Sequence, residues 1–170
     1  MTRPRCRTRS SPDPSNRGRA HEATPMTSQP ESMGSSADGA AQRYPVSVKG
    51  VVIDGGRVAL LKNERDEWEL PGGKLELRED PRSCVEREIF EELGWVVEAE
   101  EILDCWQYEV KPGVVVLIVT YGCRRTGTEV LGLSDEHVAS GLFAVEEIDQ
   151  LRMPEGYRAS IRSWYGAIGT

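Results

Sequence analysis

Residues 44–170 run through strand-like and helix-like patterns in the order strands, helix, strands, helix. That order predicts an α+β domain in which a mixed β-sheet is sandwiched between α-helices, an α-β-α arrangement. Three observations carry the prediction: valine-rich runs closed by glycine turns, a helix over 81–93 with recognisable ends, and a second amphipathic stretch near the C-terminus.

The elements follow in order. Residues 46–53 are rich in valine and read as a strand, and Asp54-Gly55-Gly56 is a hairpin signal before a second strand over 57–61. Residues 68–70 form a short strand that enters the turn-forming segment Leu70-Pro71-Gly72-Gly73-Lys74. A helix over 81–93 follows, because Asp80 suits the N-cap, Pro81 the first helical position and Gly94 the C-terminal stop. At 3.6 residues per turn, Val85, Ile89 and Leu93 make one apolar stripe along it. Residues 96–110 hold one or two strands, Lys111-Pro112-Gly113 is a turn, and 114–123 is a long β-branched run. Residues 142–145 read as a further strand ending in the acidic turn Glu146-Glu147. Met153-Pro154-Glu155-Gly156 introduces a C-terminal helix in which Tyr157, Ile161, Trp164 and Tyr165 share a side.

The chain has 170 residues, enough for one domain with a substantial core and too few for two. Its first 43 residues differ in character: six arginines fall within the first nineteen positions, followed by Ser, Pro, Gly and Ala with hardly an aliphatic side chain. This segment is expected to be a disordered tail without a dedicated function; a transit peptide and a translation start at Met26 or Met33 are the alternatives. Residues 44–170 carry 14 basic and 24 acidic side chains, a formal −10, whereas residues 1–43 carry 7 and 4. An acidic domain disfavours broad contact with a nucleic-acid backbone, so no stable nucleic-acid partner is expected. No secretory h-region or membrane-length apolar run occurs, which makes the cytoplasm the expected location and a membrane partner unexpected. Cys6, Cys84, Cys105 and Cys123 show neither metal spacing nor a disulfide framework; the last three read as small core fillers.

The helix over 81–93 also carries the chemistry. Glu88, Glu91 and Glu92 stand at i, i+3 and i+4, so three carboxylates share a face with only Arg87 close by in sequence. For a generic charge run the reading would be a solvated helix face. Here a glycine turn precedes the helix, and a backbone carbonyl near Gly73 can join the carboxylates around a cation. Hard oxygen donors suit Mg²⁺ or Mn²⁺, and no Cys/His cluster suggests zinc.

The spacing of Gly73, Glu79, Arg87, Glu88, Ile89, Glu91, Glu92 and Gly94 resembles the Nudix box of the Nudix hydrolases. Trp95, where that family has Ile, Leu or Val, is the one departure and is still apolar. The resemblance covers essentially all of residues 44–170 and implies the Nudix fold. It implies metal binding by Gly73, Glu88, Glu91 and Glu92, a salt bridge from Arg87 that holds the carboxylates, and bracing of the loop by Glu79. The implied reaction is metal-assisted attack of water on a diphosphate bond of a nucleoside diphosphate derivative, such as ADP-ribose, a nucleotide sugar or an oxidised nucleoside triphosphate. The general base is Glu91, Glu92 or Glu136, the last in the loop before residues 141–145. For substrate, Lys62, Arg65 and Lys74 are the candidate phosphate contacts, and Trp68, Trp106 and Tyr108 the candidate base-stacking rings. His137 reads as a hydrogen-bonding loop residue. The alternative from another class is a noncatalytic nucleotide-sensing module, against which the complete set of box carboxylates counts. Homodimers are common in the family.

Overall fold

The structure, a computed structural model, describes residues 43–127 and 137–169. The expected tail, with Cys6, lies outside the described residues, as do Glu136 and residue 170. Nine elements follow along the described chain: β1 Val46–Asp54, β2 Arg57–Lys62, β3 Trp68–Glu69, α1 Pro81–Leu93, β4 Val97–Lys111, β5 Val114–Arg125, β6 Ala139–Ala144, a 3-10 helix Val145–Gln150, and α2 Glu155–Ile168. The expected order of strands and helices is therefore the observed one.

The sheet is mixed. β1 pairs in parallel with β5 from Val46↔Leu117 to Val52↔Cys123, and β4 lies antiparallel on the far edge of β5. β2 meets β1 only at the hairpin end and pairs along its length with β6, while β3 adds a short antiparallel step at Leu61↔Glu69 and Lys62↔Trp68. The other edge of β1 is taken by the glycine-rich loop. Gly50 N–H donates to Pro71 O at 2.8 Å, Val48 N–H to Gly73 O at 2.8 Å, and Leu75 N–H to Val46 O at 3.0 Å. The loop thus satisfies backbone groups that a strand edge would otherwise leave unpaired.

Residues 97–111 form one strand of 15 residues whose register with β5 shifts at three places, between Ala99 and Ile102, between Ile102 and Asp104, and between Glu109 and Lys111. Such shifts bend and twist a long strand without ending it, which is why the pattern there is compatible with either one strand or two. The 3-10 helix was not anticipated beyond an acidic turn. Its N-terminus is closed by Glu147, whose carboxylate accepts the Ala144 N–H at 3.0 Å.

Two cores lie on opposite faces of the sheet. On one, Val48, Val52, Leu61, Tyr121 and Cys123 pack against Val85, Ile89 and Leu93 of α1. On the other, Val51, Val58, Leu60 and Ile118 pack against Ile148 and against Tyr157, Ile161 and Trp164 of α2. Tyr165, expected on the same side, is exposed instead, because at about 100° per residue it is turned away from Trp164. Cys84 and Cys123 are buried fillers, and burial pushes both thiols up to about 12. Cys105 departs from the expectation: on the bulged edge strand β4 it is exposed. Trp95 is fully buried, with the Arg125 guanidinium 4.3 Å above its ring and its Nε1 without a hydrogen-bond partner among the described residues. No described helix is long and apolar enough to cross a membrane.

Each helix approaches the sheet at a glycine. A Cβ on Gly50 would sit 2.6 Å from Ile89 Cδ1 and 2.9 Å from Cys123 Sγ, and a Cβ on Gly122 would strike the Trp164 ring. A Gly50→Ala substitution is therefore expected to lower unfolding stability by about 1–3 kcal/mol, the usual range for overpacking, since α1 must move outward to admit the methyl group. Chemical denaturation of the two proteins measures this, and an unchanged midpoint would contradict the close packing.

Candidate functional site

α1 forms as its sequence dictates: the Asp80 carboxylate accepts N–H bonds from Arg82 and Ser83, Pro81 opens the helix, and Gly94 at φ +69° closes it with its N–H on Phe90 O. The helix then presents its acids in two groups. Arg87 gathers the first: its Nε and one terminal nitrogen bond the two oxygens of Glu79 at 2.8 and 3.1 Å. The other terminal nitrogen bonds Glu88 at 2.8 Å and Glu91 at 3.0 Å. The guanidinium holds the Glu79 carboxyl down to about 2, and Glu79 also accepts the Glu76 N–H at 3.0 Å, which ties the loop to the helix. Arg78, in that loop, has φ +69°, a conformation usually left to glycine.

Glu92 stands apart from this cluster. It is buried, accepts the Gly72 N–H at 2.7 Å, and has His137 Nε2 at 3.6 Å. His137 also lies 3.5 Å from Glu69 on β3. Lys49 on β1, only 7% exposed, donates from Nζ to the Gly72 carbonyl. Both backbone groups of Gly72 are therefore bonded by side chains, one from α1 and one from β1. Gly72 has φ +124°, and a Cβ there would collide with the backbone of Val48 and Lys49. Only glycine fits.

Electrostatics follow from burial. Burial pushes Glu69 up, but Lys49, His137 and Asn63 outweigh it and hold the carboxyl at about 2. For Glu92, burial wins over Lys49, the Gly72 N–H and His137, and its affinity for a proton is raised above the ordinary carboxylate value. The bond to Glu69, aided by the charge on Glu92, raises His137 above the ordinary imidazole value against the opposing effect of burial.

These groups line one cleft of about 460 Å³ that contains Glu69, Glu88, Glu91, Glu92, Lys49 and His137. Its donors are hard oxygens, the Gly72 carbonyl among them, and Gly73 lets Glu88 close in where any side chain would collide with the carboxylate. As the side chains stand, no three acidic, His or Cys groups among the described residues converge on a single ion position. The reason is visible in the bonding: Arg87 draws Glu88 and Glu91 to one side while Gly72 holds Glu92. The donor set fits Mg²⁺ or Mn²⁺ once Glu88 and Glu91 turn from Arg87.

The structure brings Arg65 and Lys74 to this cleft and leaves the other proposed substrate contacts elsewhere. Lys62 pairs with Asp66 at 2.5 Å. Trp68 packs edge-on against Phe143, with ring centroids 4.5 Å apart, and Trp106 packs between Tyr108 and Tyr157 at 5.6 and 5.3 Å. The Tyr108 hydroxyl donates to Glu67 at 3.1 Å. All three aromatics pack against the α2-side core, so stacking on a ligand in the acidic cleft is not their observed role. A second cavity of about 930 Å³ shares Lys74 and Glu88 with the cleft and is walled by Tyr44, Leu77 and Arg78. The Gly73 carbonyl, expected near the metal, accepts the Val48 N–H, and the Gly72 carbonyl is the one that faces Lys49 in the cleft. Glu136 lies outside the described residues.

Sequence reasoning missed Lys49, Glu69 and Gly72. For Lys49 a signal existed, a single charge inside an otherwise buried valine strand; for Glu69 no local pattern marks it.

A family profile of the NUDIX domain matches residues 43–164. A MutT-like protein of Streptomyces ambofaciens is 37% identical over 116 residues, which are 67% of this chain and 72% of that protein. Among solved structures, a UDP-X diphosphatase superposes with a TM-score of 0.62 at 18% identity, covering 76% of this chain and 65% of its own. An ADP-ribose pyrophosphatase from Streptococcus suis 89-1591 gives 0.59 at 22% identity, covering 75% and 94%. These two likenesses establish the fold.

A pH dependence follows from Glu69. Its folded-state value of about 2 lies below the ordinary 4.5, so the ionised group adds stability above about pH 4.5 and loses it as pH falls toward 2. Metal-free Glu69→Gln is expected to be less stable than wild type at pH 6 and to lose less between pH 6 and pH 3. Urea denaturation at both pH values reads the difference; parallel losses would show that Glu69 is not held by its neighbours.

Proposed function

The chain belongs to the Nudix hydrolase family, and from that premise we propose a Mg²⁺- or Mn²⁺-dependent pyrophosphatase that cleaves the diphosphate bond of a nucleoside diphosphate derivative. The observation that best supports this reading is the complete box set of Glu88, Glu91 and Glu92 lining one cleft beside the glycine loop. When bound, the metal supplies charge neutralisation for the diphosphate oxygens and a more acidic water.

The residues of the chain then divide the work. Glu88, Glu91 and Glu92, with a carbonyl of the Gly72-Gly73 pair, hold the cation. Arg87, fixed by Glu79, bonds Glu88 and Glu91 as the side chains stand and would release them toward the cation. The proton of the attacking water would pass to Glu91, Glu92 or Glu136, whichever keeps a carboxylate oxygen free of the cation. Lys74 and Arg65 stand in the cleft as counter-charges for phosphate oxygens. The names of the structural neighbours, a UDP-X diphosphatase and an ADP-ribose pyrophosphatase, favour a nucleoside diphosphate linked to a second group.

Residues 44–170 are to be assayed against ADP-ribose, sugar nucleotides, NADH, diadenosine polyphosphates and ordinary or oxidised dNTPs, with Mg²⁺, Mn²⁺ or EDTA. The expected result is hydrolysis that EDTA abolishes, with preference for one diphosphate-linked class. Glu91→Gln and Glu92→Gln are expected to lower kcat by roughly 10²-fold or more, with the fold retained by circular dichroism. Near-wild-type turnover in both variants would sink the assignment, and a folded, Mg²⁺-binding protein inert across the panel would favour the nucleotide-sensing module.

A further inference from the structure

Lys49 is the one charged residue within the buried stretch of β1, flanked by Val48, Val51 and Val52. A lysine is rarely so enclosed without a partner of opposite charge. Here it shares one cleft with acids from two other elements, Glu69 of β3 and Glu92 of α1. Among the described residues its hydrogen bond goes to the Gly72 carbonyl, and the N–H of the same glycine is held by Glu92.

We propose that Lys49 is a resident counter-cation of the metal site, a positioning residue that balances Glu69 and Glu92 and holds Gly72 in place before a divalent ion arrives. The inference rests on the reading of this cleft as a Mg²⁺ or Mn²⁺ site. Two consequences follow. The ammonium keeps the loop and the helix assembled without metal, because it holds the Gly72 carbonyl and lies as a positive charge in the cleft that Glu69 and Glu92 share. It also opposes the divalent cation, since like charges share the cleft and the ammonium engages an oxygen that the cation would otherwise use. The protein thereby exchanges metal affinity for a site that is formed in advance.

The test compares Mn²⁺ binding and Tm in wild type, Lys49→Met, Lys49→Arg and Lys49→Met/Glu69→Gln. Bound Mn²⁺ is read from the electron paramagnetic resonance of the free ion at a pH where the carboxylates are ionised. Metal-free Lys49→Met is expected to melt below wild type and to bind Mn²⁺ tighter by on the order of tenfold, so that saturating Mn²⁺ raises its Tm more than that of wild type. Lys49→Arg keeps the charge and keeps the wild-type affinity. The double variant removes one acid with the ammonium and brings both readouts back toward wild type, and it serves if the single variant does not fold. A lysine that merely filled space would give no gain in Mn²⁺ affinity on its removal. Equal or weaker Mn²⁺ binding by Lys49→Met, or a double variant that binds Mn²⁺ much more weakly than wild type, with wild type binding normally, overturns this inference alone. Wild type that binds no Mn²⁺ overturns the metal reading and this inference with it.

Discussion

The site depends on backbone pairing between the glycine-rich loop and β1. A strand inside a sheet normally gives both edges to other strands, yet β2 leaves β1 after the hairpin and pairs with β6. The vacated edge is filled by residues 71–75, bonded to Val46, Val48 and Gly50. That pairing fixes where Gly72 and Gly73 lie, and through them where Glu88 and Glu92 come to rest. Gly72 is the tightest point, with φ +124° and no room for a side chain over Val48. A loop attached only at its ends would carry the same residues without holding them to the acidic helix.

Charge is distributed by the same geometry. Arg87 collects Glu79, Glu88 and Glu91, whereas Lys49 lines the cleft with Glu69 and the buried Glu92. The Arg87 pairs are partly exposed and open to screening by salt, while Glu69 and Glu92 have proton affinities set by burial as well as by charge.

Much of this was legible in the chain. The caps of α1 are local chemistry, so Asp80, Pro81 and Gly94 marked its ends to the residue, and its apolar stripe is the one that meets the sheet. Helical spacing also put the box carboxylates and Arg87 on one helix, and Arg87 bonds Glu88 and Glu91 there, whereas Glu92 turns to Gly72. What could not be read came from contacts distant in sequence. Glu69 and Lys49 reach the cleft only because β3 and β1 converge there, and Trp68, Trp106 and Tyr108 pack against the α2-side core instead. Motif spacing placed a carbonyl near Gly73 beside the acids but does not tell which peptide of the glycine pair bonds the neighbouring strand. Cys105 looked like a filler because a strand pattern does not reveal a bulged edge.

Gly50 and Gly122 stand one register step apart on paired strands, with Gly50 opposite Tyr121 and Val51 opposite Gly122. One receives Ile89 of α1 from one face and the other receives Trp164 of α2 from the opposite face. At that spot each helix rests on bare backbone at its own glycine, with Val51, Tyr121 and Cys123 packed around the two points. The acidic helix therefore has little slack in its height above the sheet at Ile89, the residue next to Glu88.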